Sequence, residues 1–212
     1  MKRILSILIT LCSLFPLFFL GSCGDGPGSP GSQGSDNTGV VPELFMTPTY
    51  LDSNTKSVDV VQQICDPGPP PEFEPFADHQ AVLTVTAKLI NENPQIPPGT
   101  LFIEKYTVEY RRAQDSIGTP PIESDTRFDT IVITPPQSGA GSTSTSATVI
   151  FVDLKRKDKY LIDMETGQFT SGLALINNYT ATYTFEGKNQ YGERFVWTAQ
   201  TDFQIGSFDY CD

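Results

Sequence analysis

Residues 179–188 read YTATYTFEGK. Tyr179, Ala181, Tyr183 and Phe185 fall on one side of an extended chain, and Thr180, Thr182, Thr184 and Glu186 on the other. Side chains of a strand point alternately to opposite faces, so this stretch can bury one face and leave the other wet.

The pattern recurs in both directions along the chain. AVLTVTAKLI (81–90) sets Ala81, Leu83, Val85, Ala87 and Leu89 against Thr84, Thr86 and Lys88. FIEKYTVEYRR (102–112) sets Tyr106, Val108 and Tyr110 against Lys105, Thr107, Glu109 and Arg111. ERFVWTAQTDFQI (193–205) gathers Phe195, Trp197, Ala199, Phe203 and Ile205 opposite Arg194, Thr198, Gln200, Asp202 and Gln204. Weaker alternation predicts strands at about Lys56–Ile64, Phe128–Thr134 and Thr145–Asp153. One wet face per sheet is antiparallel behaviour. Seven such strands, separated by joints such as DPGPPPEFEP, NENPQIPPGT and PPQSGAGSTS, predict an all-β, seven-stranded antiparallel β-sandwich with long loops. DLKRKDKYLIDM (153–164) reads either as a short helix or as a loop crossing one end of the sandwich.

Two of these stretches resemble a known family. YTVEYRR (106–112) is similar to the third strand of fibronectin type III domains, and LALINNYTATYTFEGKNQYG (173–192) to their E–F corner, F strand and F–G turn. The resemblance implies an immunoglobulin-like sandwich. It also implies a tyrosine corner at Tyr179, six residues after Leu173, with Asn189 and Gly192 bracketing the hairpin. Leu154 and Tyr160 share the six-residue spacing, but no F-like strand follows them. The family's second-strand tryptophan is missing, because the sole tryptophan is Trp197 on the last strand. The chain also carries extra length near 113–127 and 155–175.

The front of the chain is an address. Lys2 and Arg3 precede a run from Ile4 to Leu20 that is apolar apart from Ser6, Thr10 and Ser13. This is the layout of a secretory signal. A membrane span needs about 17–25 apolar residues, and this run sits at the lower limit with Pro16 inside it. Leu20-Gly21-Ser22-Cys23 resembles the lipobox of bacterial lipoproteins. The resemblance implies cleavage before Cys23 and acylation of its sulfur and new amino group. With Gly24 rather than Asp next, it implies the outer membrane as destination. Residues 24–39 hold no large apolar side chain, so they cannot bury enough surface to offset the entropy of ordering. The expected organisation is a signal peptide (1–22), a Gly/Ser/Pro linker (23–41) and a β-sandwich domain (42–212).

Removing the signal takes two of the 14 basic residues and none of the 25 acidic ones, so the net charge moves from −11 to 12 − 25 = −13. That acidity argues against nucleic acid and against peripheral binding to anionic lipid. Cys65 and Cys211, an even pair in an exported chain, predict a disulfide. Catalytic signals are scarce. The single histidine, His79, rules out a multi-histidine metal site, and no Gly-x-Ser-x-Gly elbow or phosphate loop occurs. Asp202, Asp209 and Asp212 lack calcium-loop spacing, and Asn178-Tyr179-Thr180 fits a glycosylation sequon inside a strand start. The aromatic stripe of Tyr179, Tyr183, Phe185, Phe195 and Trp197 fits a core better than a ligand platform.

The expectation is therefore a non-enzymatic, lipid-anchored envelope module, with no cofactor and no metal. It would bind a protein or glycan partner through loops 91–100, 135–144 and 188–192 or through a sheet edge. The alternatives are an accessory carbohydrate-binding or carboxylate-dependent hydrolytic domain, and a passive subunit of an envelope complex.

Overall fold

The computed structural model describes residues 38–116, 118–139, 141–169 and 176–211. Residues 1–22, read above as a signal peptide, Cys23 and Leu173 lie outside the described residues.

Seven strands of nine residues or more carry the fold: β1 (Val40–Tyr50), β6 (His79–Leu89), β7 (Leu101–Arg112), β8 (Asp125–Ile133), β9 (Ser142–Val152), β10 (Asn177–Asn189) and β11 (Arg194–Gly206). Four short ones join them: β2 (Ser53–Asn54), β3 (Ser57–Asp59), β4 (Ile64–Asp66) and β5 (Glu72–Phe73). One sheet runs β2-β1-β6-β9, the other β3-β11-β10-β7-β8, and β4-β5 is a separate ribbon. The chain is thus all-β and sandwich-like. Residues facing inward from both large sheets form one core, with Trp197, Tyr179, Tyr183, Phe151 and Phe185 its largest fully buried members. The alternating faces expected for 81–90, 102–112, 179–188 and 193–205 are the observed ones.

Strand membership departs from expectation in two places, and one open alternative is decided. First, β1 begins at Val40, inside the stretch read as linker, and runs through Pro42 and Pro48. Those prolines hide a strand from sequence reasoning because they cannot donate to a ladder. Here they are tolerated because Pro48 turns its backbone away from β6: its carbonyl accepts from Thr55 N–H on the opposite side (3.0 Å). Pro42, six residues earlier in the unbroken β1–β6 register, turns the same way. Second, Lys56–Ile64 is not one strand. Only Ser57–Asp59 pairs, and it pairs in parallel with Gln204–Gly206 of β11, the one departure from antiparallel pairing among the described strands. The open alternative is the stretch read as helix or loop, which is a helix, α1 (Leu154–Glu165). Asp153 decides that alternative as an N-cap, its side chain accepting from Arg156 N–H (3.0 Å). Lys157, Tyr160 and Met164, three and four residues apart, form the buried stripe of α1.

Bulges bend the sheets, and the core is built to serve them. Pairing slips between Ile103 and Lys105 of β7, so its inward set changes from Leu101 and Ile103 to Tyr106 and Val108. Opposite the slip stands Gly187, where an added Cβ would lie 2.1 Å from Phe102 O and 2.9 Å from Ile103 Cα. In β9 the register skips Phe151, because His79 faces Val152 and Gln80 faces Ile150. The backbone groups freed there are met by tyrosines from the other sheet. Tyr110 donates to Phe151 O and Tyr183 to Ile150 O (2.9 Å), while Tyr106 accepts from Ile150 N–H (3.0 Å). An aromatic stripe thereby supplies apolar bulk and also satisfies buried backbone.

Candidate functional site

The two ends of the sandwich differ in chemistry. At one end, the chain enters at Thr38–Gly39 beside the β6–β7 loop, the β8–β9 loop and the β10–β11 turn. These are the three loops expected to carry function, and hydrogen bonds lock them together. Ile90 N–H donates to Gly39 O (3.1 Å), Gly139 N–H to Glu92 O (2.8 Å), and Gln190 N–H to Thr100 O (2.8 Å). The turn is built by Asn189, whose Oδ1 accepts from Tyr191 N–H and Glu193 N–H (both 2.9 Å), with Gly192 at φ +90° completing it. Gly99 lets the Tyr191 ring lie on the proline loop, since a Cβ there would come within 2.9 Å of that ring. The chain entry, the β6–β7 loop and the β10–β11 turn line a cleft of about 370 Å³ walled by Ile90, Pro94, Ile96, Pro98 and Tyr191.

The opposite end holds a sealed polar cluster that sequence reasoning missed, apart from His79. Lys157 is fully buried, its ammonium 4.3 Å from the Phe76 ring centre and 5.1 Å from that of Tyr50. Burial lowers its pKa to about 8, against the pull of the Asp59, Asp78 and Glu74 charges. Burial pushes Asp59 up to about 6, with Glu74 adding to the rise. His79 stacks on Tyr50 at 4.1 Å, and burial, then the Lys157 charge, lowers it to about 3. Its Nε2 meets Ser57 O at 3.0 Å. A carbonyl only accepts, so the proton sits on Nε2 and Nδ1 is bare.

The carboxylates here clamp the C-terminal strap. Phe208 N–H donates to Asp59 Oδ1 (2.8 Å) and Tyr210 N–H to Glu74 Oε2 (2.7 Å), while Tyr210 Oη donates to Ser57 O (2.8 Å). The Cys65–Cys211 disulfide, with a Cα separation of 5.3 Å, ties the same strap to β4. Carboxylate and thiol positions of Glu74, Asp209 and Cys211 cluster within 4.8 Å. The sulfur is spent in the disulfide, however, and both Glu74 oxygens accept backbone amides, from Gln63 and Tyr210. A buried lysine of lowered pKa beside a raised carboxyl is the arrangement of many nucleophilic sites. Here Lys157, Asp59, Glu74 and His79 are all sealed from solvent; the bonds of Asp59, Glu74 and His79 hold backbone in place, and the Lys157 ammonium has aromatic rings but no hydrogen-bond partner. The one signal that could have located Lys157 is its three-residue spacing from Tyr160, legible once 154–165 is known to be helical.

The other sequence candidates scatter. Tyr179 is buried and its hydroxyl donates to Pro120 O (2.5 Å) in the β7–β8 connection, beside Thr119 Oγ1 (2.5 Å). Tyr160, with the matching spacing, packs edge-on against it at 6.1 Å. Asn178 spends its side-chain amide on Asp115 Oδ2 (3.0 Å). Asp202 accepts from Thr180 (2.6 Å) on the sheet face, and Asp212 lies outside the described residues.

No family model matches the chain, and no curated protein does. Among solved structures it is similar to an Arabidopsis thaliana protein known from solution, at 9% identity and TM-score 0.31, covering 64% of this chain and 76% of that one. It is similar as well to a candidate late embryogenesis abundant protein, at 12% identity and TM-score 0.35 over 100% and 90% of the two chains. A structural-genomics target matches at 11% identity and TM-score 0.28, covering 83% and 92%.

Proposed function

We propose that this chain is a lipid-anchored, non-enzymatic binding or adaptor module of the cell envelope, held by acyl chains on Cys23, with the outer membrane as its site. The strand order β1-β6-β9 facing β8-β7-β10-β11 supports reading the domain as fibronectin type III-like, with Tyr179 as its tyrosine corner. The observation that carries the functional reading is the convergence of the three candidate loops on one end, two of them lining an open cleft. The titratable cluster at the other end is closed. Open, charge-poor loops on a rigid scaffold suit recognition, and sealed carboxylates do not suit turnover.

The test has two arms. Cys23→Ser should abolish detergent-phase partitioning of the mature protein. A photo-crosslinker at Gln137, on the loop end, should capture a protein, glycan or lipid neighbour in intact cells. Capture from Thr198, on the outer face of β11, with none from Gln137 would overturn the assignment of the contact surface.

A further inference from the structure

We propose that the loop end rests on the bilayer itself: its partner is the zwitterionic lipid interface to which the anchor leads. This deepens the function proposed above and depends on lipidation at Cys23. Fourteen residues, 24–37, separate that cysteine from Thr38, and a Gly/Ser-type chain of this length spans about 20 Å r.m.s.. Thirteen-residue strands such as β10 and β11 run about 40 Å. The tether joins the fold at the loop end, so that end stays near the membrane at high effective concentration while the disulfide end stands off.

Two observations fit that end to lipid. The first is apolar exposure on a rigid frame: Ile96 is 74% exposed, Tyr191 57% and Ile90 46%. A tyrosine ring flanked by aliphatic side chains is suited to the headgroup boundary. The second is charge. In a chain with 25 acidic and 14 basic residues, segments 90–100, 134–141 and 189–193 carry only Glu92 and Glu193, and no base. The nearest bases lie below the rim. Lys88 pairs with Glu43 (2.5 Å), Lys188 pairs with Glu104 (2.7 Å), and Arg194 is the first residue of β11. A surface depleted of charge in an acidic molecule meets a neutral headgroup layer without repulsion, and it offers nothing to an anionic one.

The experiment is hydrogen exchange on the acylated protein in phosphatidylcholine/phosphatidylethanolamine vesicles, compared with Cys23→Ser free in solution. Amides of 91–100 and 190–193 should slow about tenfold on the vesicles, and those of β8 should not change. The double variant Ile96→Asp/Tyr191→Ser, with its melting temperature shown to be unaltered, should still float with the vesicles yet lose the slowing. Wild-type protein that floats while these loops exchange at the free rate would overturn the proposal and leave the anchor standing. Failure to float would remove the anchor, and the docking with it. Slowing that needs an added envelope protein, or that appears in Cys23→Ser at raised protein concentration, would assign the loop end to another macromolecule or to a second copy, and would also overturn it.

Discussion

His79 and Asp59 carry opposite pH signatures in one buried cluster. His79, lowered by burial from 6.5 to about 3, stays neutral in the fold while the unfolded chain protonates. Its contribution to stability is complete above pH 6.5 and drains as pH falls toward 3. Asp59, raised by burial from 3.8 to about 6, contributes fully below its unfolded value and loses that contribution as pH rises through 6. Between about pH 4 and 6 the two slopes therefore oppose each other. His79→Gln keeps a donor for Ser57 O and removes one slope. Relative to wild type, its stability should climb by about 3 kcal/mol between pH 7 and pH 4. Urea unfolding across that range measures it, and a pH-independent difference would show that His79 is not held neutral. Neither residue announces this in sequence. A lone histidine at a strand start reads as surface or half-buried, and its full burial comes from Tyr50 and Lys157, which are remote along the chain.

At the scale of elements, alternation was legible and interruptions were not. The long alternating runs kept their faces, because each can bury its apolar set only one way. β1 was illegible because Pro42 and Pro48 signal a break, and only their orientation away from β6 makes them harmless. Bulges are invisible to a period-two pattern, yet they decide where Gly187 must stand. Gly187→Ala should destabilise the fold by roughly 3 kcal/mol, since the new methyl meets backbone on β7 rather than a side chain that could swing away. Thermal denaturation reads this directly, and a loss below about 1 kcal/mol would mean that the bulge relaxes at little cost. α1 was undecidable from its residues, because its apolar stripe includes a lysine.

For the whole molecule, the two ends divide the labour. One is stitched: the strap at 207–211 is held by Asp59, Glu74, Tyr210 and a disulfide that closes a separation of 146 residues. Cys65→Ser should lower stability by about 2–4 kcal/mol and leave the sheets intact. Denaturant midpoints with unchanged far-ultraviolet circular dichroism would show it, whereas loss of the β signal would make the bridge a condition of folding. The other end is open and charge-poor, and the described chain enters the fold there at Thr38. The proposed acyl anchor on Cys23 would hold the fold by that end, and the proposed lipid contact draws on that orientation.

The sequence by itself determined the class of structure, the alternating faces, the pairing of Cys65 with Cys211 and the three loops worth watching. Each depends on local periodicity, composition or an even cysteine count. Only the tertiary structure brought those loops to one end and buried Lys157 among aromatic rings. It also turned the prolines of β1 away from β6 and spent the core tyrosines on a bulged strand. The physical reason is common to all four: which backbone groups lack partners, and which charges lose water, is set by neighbours tens of residues away, and no local pattern records them.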